Sequence, residues 1–238
     1  MNRVLSVTRM HLGRRVASFV FPLGLALGVV LAMVLIVAAI RLAGVDTMSE
    51  GFARGTASNG GIVWTLVGFS TALGVQAATA CFALATALGT TRRDYVLGTA
   101  AYFAIQGLAM TAMLSVLLVI ERATEHWFLG ARTLDVVMLG SGDWGRFLPT
   151  VFLGSLAALA LGALLGASWL RFGNRGPAVI SGIVVLAAAI ALVIIVPRLD
   201  AIVAAAQFSW VPIGLAVVTL VAFGGAAVFL RRTSVRGN

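Results

Sequence analysis

The side chains able to do chemistry are few in this sequence and far apart. Two histidines, His11 and His126, and one cysteine, Cys81, are the whole stock of imidazole and thiol groups. His11 precedes the first long apolar run, Cys81 lies within the second and His126 follows the third, so no His/Cys metal or haem set converges from one chain. An intramembrane serine protease needs Ser and His together inside the apolar region, and no His lies there. Lysine is missing altogether: all 17 basic residues are arginine. A Walker A loop needs its lysine to reach the β- and γ-phosphates. If ATP drives this protein, another polypeptide therefore hydrolyses it, and no catalytic residue, cofactor or metal is expected on this chain. Two polar features remain. One is the compact charged turn in LGTTRRDYVLGT, residues 88–99; the other is a pair of glutamines, Gln76 and Gln106, inside otherwise apolar stretches.

The elements that must position these residues follow from composition. Hydrophobic residues make up 61% of the 238, charged residues only 11%, and the mean hydropathy is +1.06. Soluble domains carry about 25% charged residues, so this composition belongs to an integral membrane protein. Six runs approach or exceed the ~20 apolar residues that cross a bilayer: about 16–40, 62–88, 96–120, 147–170, 178–196 and 212–230. None contains Asp, Glu, Arg or His. Without water, each peptide group must bond within its own segment, which selects helices; the alternation of a β-barrel is missing. The expected fold is all-α, a single polytopic membrane domain over residues 1–238. The first run is too long for a signal peptide's apolar core of ~7–15 residues and reads as a retained span. Trp64, Trp169 and Trp210 fall near span ends, where Trp prefers to sit.

Arginine placement orients the chain. With the N-terminus inside, 11 arginines face the cytoplasm and six the other side, while seven of the eight acidic residues lie outside. The segments then carry +10 inside and −1 outside, and the positive-inside bias places both termini in the cytoplasm. The basic surface suits anionic lipid headgroups. With no soluble domain to carry a nucleic-acid site, that class of partner is set aside.

The flanks carry further signals. Residues 1–15 suit a short interfacial helix or an ordinary basic flank. The loop from Arg41 to Gly61 reads as irregular, and Glu121 to Arg146 as a loop with short helical pieces. PRLDAIVAAAQFSWVP, residues 197–212, is too apolar for a free loop and too short for a crossing, and reads as re-entrant or interfacial. Small residues recur at four-residue spacing at Gly24, Gly28 and Ala32, and again at Gly154, Ala158, Gly162 and Gly166. Such ridges pack helices within a bundle or between subunits.

The charged turn is short because two spans flank it. Gly89 closes one helix, Thr90 or Thr91 caps the next, and Asp94 suits that helix's positive end. Arg92, Arg93 and Tyr95 are expected to project towards the cytoplasm or the headgroups. Two readings stand: a turn held inside by its arginines, or a docking knob that passes a partner's movement into the membrane. Gln76 and Gln106 likewise either face a translocation path or bond a neighbouring helix.

LGTTRRDYVLGT resembles the pattern Leu-Gly-x-Ser/Thr-Arg-Arg-x-aromatic-x-x-Gly between spans two and three of the permease subunits of bacterial ABC transporters of the type 2 exporter class. VIERATEHW, residues 119–127, and WLRFGNRGPAVISG, residues 169–182, resemble other segments of these permeases, and with the six spans the likeness covers most of the chain. Thr91 stands where Ser is frequent and keeps the capping hydroxyl. The resemblance implies a multi-pass permease of the bacterial cytoplasmic membrane, paired with a second copy or a paralogue. Two ABC ATP-binding subunits, holding ATP and magnesium, would dock beneath on the turn and the N-terminal helix. It makes Thr90, Thr91, Arg92, Arg93, Asp94 and Tyr95 the coupling residues, has spans one, two and five line the route, and has 197–210 cap it. The substrate implied by an uncharged route is amphipathic or hydrophobic: a lipid, a peptide antibiotic or a drug. Two other classes fit the composition, a gradient-driven carrier and a non-transport anchor or assembly subunit.

Overall fold

The computed structural model describes residues 3–195 and 210–232. Every regular element among them is a helix. A short α1, Arg3–Leu12, leads into a π-helical turn, Val16–Val20, and α2, Phe21–Leu42. After α3, Glu50–Ala57, the chain continues through α4, Gly61–Gln76, a second π-helical turn, Ala77–Cys81, and α5, Phe82–Ala87. Then come α6, Arg92–Ala123; α7, Trp144–Phe172; α8, Arg175–Ile195; and α9, Trp210–Arg232.

Five helical stretches are long and apolar enough to cross a bilayer: Val16–Leu42, Glu50–Ala87, Arg92–Ala123, Trp144–Phe172 and Trp210–Arg232. They carry the expected runs 16–40, 62–88, 96–120, 147–170 and 212–230, the second ending one residue early at Ala87. The remaining run, 178–196, falls on α8, whose described apolar part, Arg175–Leu186, is shorter than a span. Val196 and residues 197–209, the expected re-entrant segment, lie outside the described residues.

Caps set the boundaries. The Thr91 hydroxyl accepts from the Asp94 N–H at 3.1 Å to start α6, and Asp143 accepts from the Gly145 N–H at 2.8 Å to start α7. The loop expected to be irregular contains α3, because Ser49 caps it, Glu50 opens its first turn and Arg54 closes its last. Those local signals outweigh Gly51 and Gly55.

Helix α7 is the hub of the bundle, packing on α4, α6, α8 and α9. Its closest approach is to α4. A Cβ at Gly162 would collide with the Thr71 carbonyl, and one at Gly74 with the Leu159 carbonyl. Such contact needs glycine on both sides. The ridge on α7 therefore works inside the bundle at Gly162 and Gly166. The ridge on α2 does not: Gly24, Gly28 and Ala32 are exposed, and nothing lies within 4 Å of a Cβ at either glycine.

Two cores fill the interior. One, around Phe82, Tyr95, Tyr102 and Leu159, lies towards the charged turn; the other, around Leu66, Leu118, Leu134 and Phe147, lies towards the 124–143 loop. These define a turn end and a loop end of the bundle. Phe172 meets Phe229 at 5.5 Å between ring centroids at the turn end. At the loop end, Val211 shares a groove with Trp64 and Met138.

Candidate functional site at the charged turn

The connection between α5 and α6 shrinks to residues 88–91. Gly89 takes φ +78°, a left-handed conformation that suits glycine, and the Thr90 N–H returns to the Ala85 carbonyl at 3.0 Å. Thr91 then caps α6, with Asp94 in its first turn. The turn is thus fixed by its own backbone.

Neighbours brace it on two sides. Arg92 reaches the end of α9, its Nη1 donating to the Arg231 carbonyl at 2.6 Å and approaching the Leu230 carbonyl at 3.5 Å. These are the carbonyls a helix C-terminus leaves unpaired, and a cation satisfies them well. On the other side Arg3 donates to the Gly89 carbonyl at 3.4 Å. Helix α1 lies along the start of α6, where Val7 fills the space above Gly98 and the Thr8 hydroxyl donates to the Gly98 carbonyl at 3.1 Å. Leu88, Gly89, Thr91 and Arg93 remain exposed, Thr90 and Asp94 half-buried.

Tyr95 departs from expectation. Instead of projecting outwards it is fully buried, and its hydroxyl donates to the Ala77 carbonyl, the first residue of the second π-helical turn. A phenol so close to a capped helix start can swing under the helix it follows, and the core around Phe82 receives its ring edge-on at 5.1 Å.

A polar latch continues inwards from there. His11 stacks on Tyr102 with centroids 4.6 Å apart, and its Nε2 lies 3.3 Å from the Thr99 hydroxyl. Burial, aided by the Arg14 guanidinium, lowers the His11 pKa from 6.5 to about 4, so this imidazole is neutral at ordinary pH. The Tyr102 and Ser18 hydroxyls are 3.2 Å apart.

The two glutamines meet different partners. Gln76 accepts from Arg14 Nη2 at 2.7 Å, a contact between α4 and the segment preceding α2. Gln106 is buried, and its Nε2 donates to the Ser18 carbonyl at 2.7 Å. Its Oε1 has no partner among the described residues, and the side chain borders a cleft of about 190 Å³ with Phe19, Pro22 and Met110. Both π-helical turns therefore have a carbonyl engaged by an α6 side chain, Ser18 by Gln106 and Ala77 by Tyr95. A π-helical turn disturbs the regular hydrogen-bond ladder, and such turns recur at functional places in helices.

At the loop end, Glu121 organises what sequence reasoning treated as a loop residue. It is fully buried, and its carboxylate accepts from the backbone N–H groups of Thr133, Leu134 and Asp135 and from the Thr133 hydroxyl. Asp135 in turn lies 3.0 Å from His126 Nε2 and 3.4 Å from Arg132 Nη1. Between them Glu125, His126, Trp127 and Phe128 all take positive φ, from 50° to 62°. Four such non-glycine residues in succession are costly and persist only where neighbours impose them. The one sequence signal is an acidic residue placed at the end of an apolar run, with Thr133 twelve positions further on.

The described helices and their apolar exteriors define a membrane protein of all-helical class. No protein-family model, curated protein or solved structure matches the chain.

Proposed function

We propose that this chain is the membrane-spanning permease subunit of an ATP-driven exporter, moving an amphipathic or hydrophobic substrate with ATP hydrolysed on a separate ABC subunit. The observation that carries the reading is the braced turn. A short four-residue connection, ended by the Thr91 cap and held by Arg3 and Arg92, presents Leu88 and, on the first turn of α6, Arg93 outwards, while Tyr95 ties the same helix start to the π-helical turn that follows α4. A partner pushing on such a turn moves α4, α6 and α9 together, which a floppy loop would not allow. In this reading Thr90, Thr91, Arg92, Arg93 and Asp94 form the docking surface, and Tyr95 passes the movement inwards.

The same reading takes α8 as a sixth crossing. The chain leaves α7 at the turn end, where Phe172 meets Phe229, and enters α9 at the loop end, where Val211 neighbours Met138. In this reading the traverse between them falls to α8, whose 21 helical residues span about 31 Å. Arg3 and Arg231 lie at one end of the bundle, and the arginine bias makes that end cytoplasmic. A second copy or a paralogue completes the permease pair, in a bacterial cytoplasmic membrane.

The test is assembly. The purified chain, mixed with an ABC ATPase from the neighbouring reading frames and reconstituted in lipid, is expected to form a complex and to alter ATP hydrolysis; neighbouring frames without such an ATPase would count against the reading. No complex and no change in hydrolysis would overturn the reading. Flux dependent on a proton or sodium gradient without nucleotide would point to a carrier.

A further inference from the structure

Arg14 lies deeper than its place in the chain implies. Sequence sets it with Arg15 on the cytoplasmic flank of the first apolar run. Its Nη2 nevertheless donates to Gln76 Oε1 at 2.7 Å, and its Nη1 approaches Cys81 Sγ at 3.7 Å. Two helices give the depth independently. Gln76 precedes Ala87, the end of α5, by eleven residues, so about 16 Å of helix separates the guanidinium from the charged turn. On α6, Tyr102, whose hydroxyl lies 3.2 Å from that of Ser18, is about 15 Å beyond Arg92. Helix α9 sets the scale: Val211 to Leu230 is twenty residues without a charge, about 30 Å, and it ends where Arg92 meets the Leu230 and Arg231 carbonyls. The Arg14 head is therefore held near half the depth of the bilayer, and its bond to Gln76 keeps it from snorkelling back to the surface.

Helix α1 joins this point to the turn end. It runs beside α6 in the same direction: Arg3 donates to the Gly89 carbonyl, Thr8 to the Gly98 carbonyl, and the Ser18 carbonyl accepts from Gln106. Val7, Thr8 and His11 on one face are buried. Arg3, Ser6 and Arg9, at three-residue spacing on the opposite face, are exposed, and so are Arg14 and Arg15 beyond them. Four arginines thus descend from the turn to mid-bilayer on the outside of the bundle.

Guanidinium groups stay charged, and a charge beside hydrocarbon needs a counter-charge. The chain does not supply it. Among the described residues no carboxylate lies within ion-pair distance of these arginines. Asp94 is in the first turn of α6, at the turn itself. Asp46, Glu50, Glu121, Glu125, Asp135 and Asp143 belong to the connections at the loop end. A second copy in the same orientation therefore brings no described carboxylate to this depth.

We propose that the exposed face of α1 carries the phosphate of an anionic phospholipid from the headgroup layer towards mid-bilayer, with Arg14 as its innermost contact. Gln76 orients the Arg14 fork and leaves donors for the phosphate oxygens. Val16 and Val20, exposed on the segment that follows, meet the acyl chains, which suits a lipid better than a soluble anion. The proposal asks only that the apolar helices cross a bilayer; it does not depend on the exporter reading.

The test uses the full-length chain, without any ATPase, in phosphatidylcholine liposomes doped with phosphatidylglycerol that carries a photoactivatable diazirine on its headgroup. Labelled peptides are mapped by mass spectrometry. Label is expected at the turn end and also, deeper, on residues 14–20 and 76–84. Arg14→Gln is expected to lower the deep label about tenfold, the loss of one charge-assisted hydrogen bond, and to leave label at 88–95 unchanged. Arg41→Gln, at the far end of α2, alters neither. Unlabelled phosphatidylglycerol competes for the deep label, while added phosphatidylcholine and inorganic phosphate do not. Circular dichroism and detergent gel filtration show which variants fold. Wild-type label confined to the turn end would overturn the proposal, since Arg14 would then be hydrated rather than lipid-bound. So would deep label that folded Arg14→Gln retains, or that inorganic phosphate displaces, which would assign the site to a soluble anion. If Arg14→Gln fails to fold, Gln76→Leu, which frees the guanidinium to rise, serves as the variant: deep label lost supports the proposal, and deep label retained overturns it.

Discussion

The hydroxyl of Tyr95 donates to the carbonyl oxygen of Ala77, joining the first turn of α6 to the π-helical turn between α4 and α5. Removing that hydroxyl leaves a buried carbonyl without its donor. Tyr95→Phe is expected to keep the ring packing against Phe82 but to lower stability by about 1–2 kcal/mol. Thermal unfolding in detergent measures the loss. On the exporter reading proposed above, the same variant is expected to weaken ATPase coupling more than complex formation.

Arg92 and Arg93 are adjacent but do different work. Arg92 satisfies the carbonyls ending α9, while Arg93 is exposed. Arg92→Ala is expected to loosen the end of α9, seen as faster proteolysis after residue 225. Arg93→Ala is expected to leave proteolysis and membrane insertion unchanged and, on the exporter reading proposed above, to reduce affinity for an ATPase subunit. Equal effects of both on proteolysis would refute the division.

Glu121 holds three backbone N–H groups and one hydroxyl with a single carboxylate. Glu121→Gln replaces an accepting oxygen by an NH2 that faces donors. A loss of about 2–3 kcal/mol follows. Limited proteolysis should show it first at residues 125–135, where the left-handed backbone of Glu125 to Phe128 relaxes once the anchor is gone.

The neutral His11 sets a pH dependence. Its pKa falls from 6.5 when free to about 4 in the fold, so the unfolded chain takes up the proton first. Its contribution to stability is full above pH 6.5, declines as pH drops through that value, and is lost by about 4. Unfolding temperature is expected to fall between pH 7.5 and 5, and His11→Phe, which keeps the stack on Tyr102, should flatten that slope. An unchanged slope in the variant would assign the dependence to another group.

Two glycine ridges of similar spacing predict opposite outcomes. Gly162→Val drives a side chain into the Thr71 carbonyl and is expected to cost about 3 kcal/mol. Gly24→Val meets nothing within 4 Å and should unfold at the wild-type temperature in dispersed monomers. Detergent-solubilised thermal melts of the two variants, side by side, decide it.

What could be read along the chain was whatever depends on one segment and its solvent. The five apolar stretches follow from transfer of each segment into hydrocarbon, and the start of α6 follows from a contact three residues long, Thr91 with Asp94. Sequence also marked Gln76 and Gln106 as costly in lipid, which obliges them to find partners. It did not give those partners, Arg14 and Ser18. Nor did it place Tyr95 inwards, bring Arg92 to Arg231 across 139 positions, or separate the buried ridge on α7 from the exposed one on α2. The physical reason is the same in each case. Lipid accepts any apolar face equally, so hydropathy fixes which residues enter the membrane but not which faces meet. Only the packed bundle, through its backbone contacts at Gly74 and Gly162, decided that, and with it the braced turn.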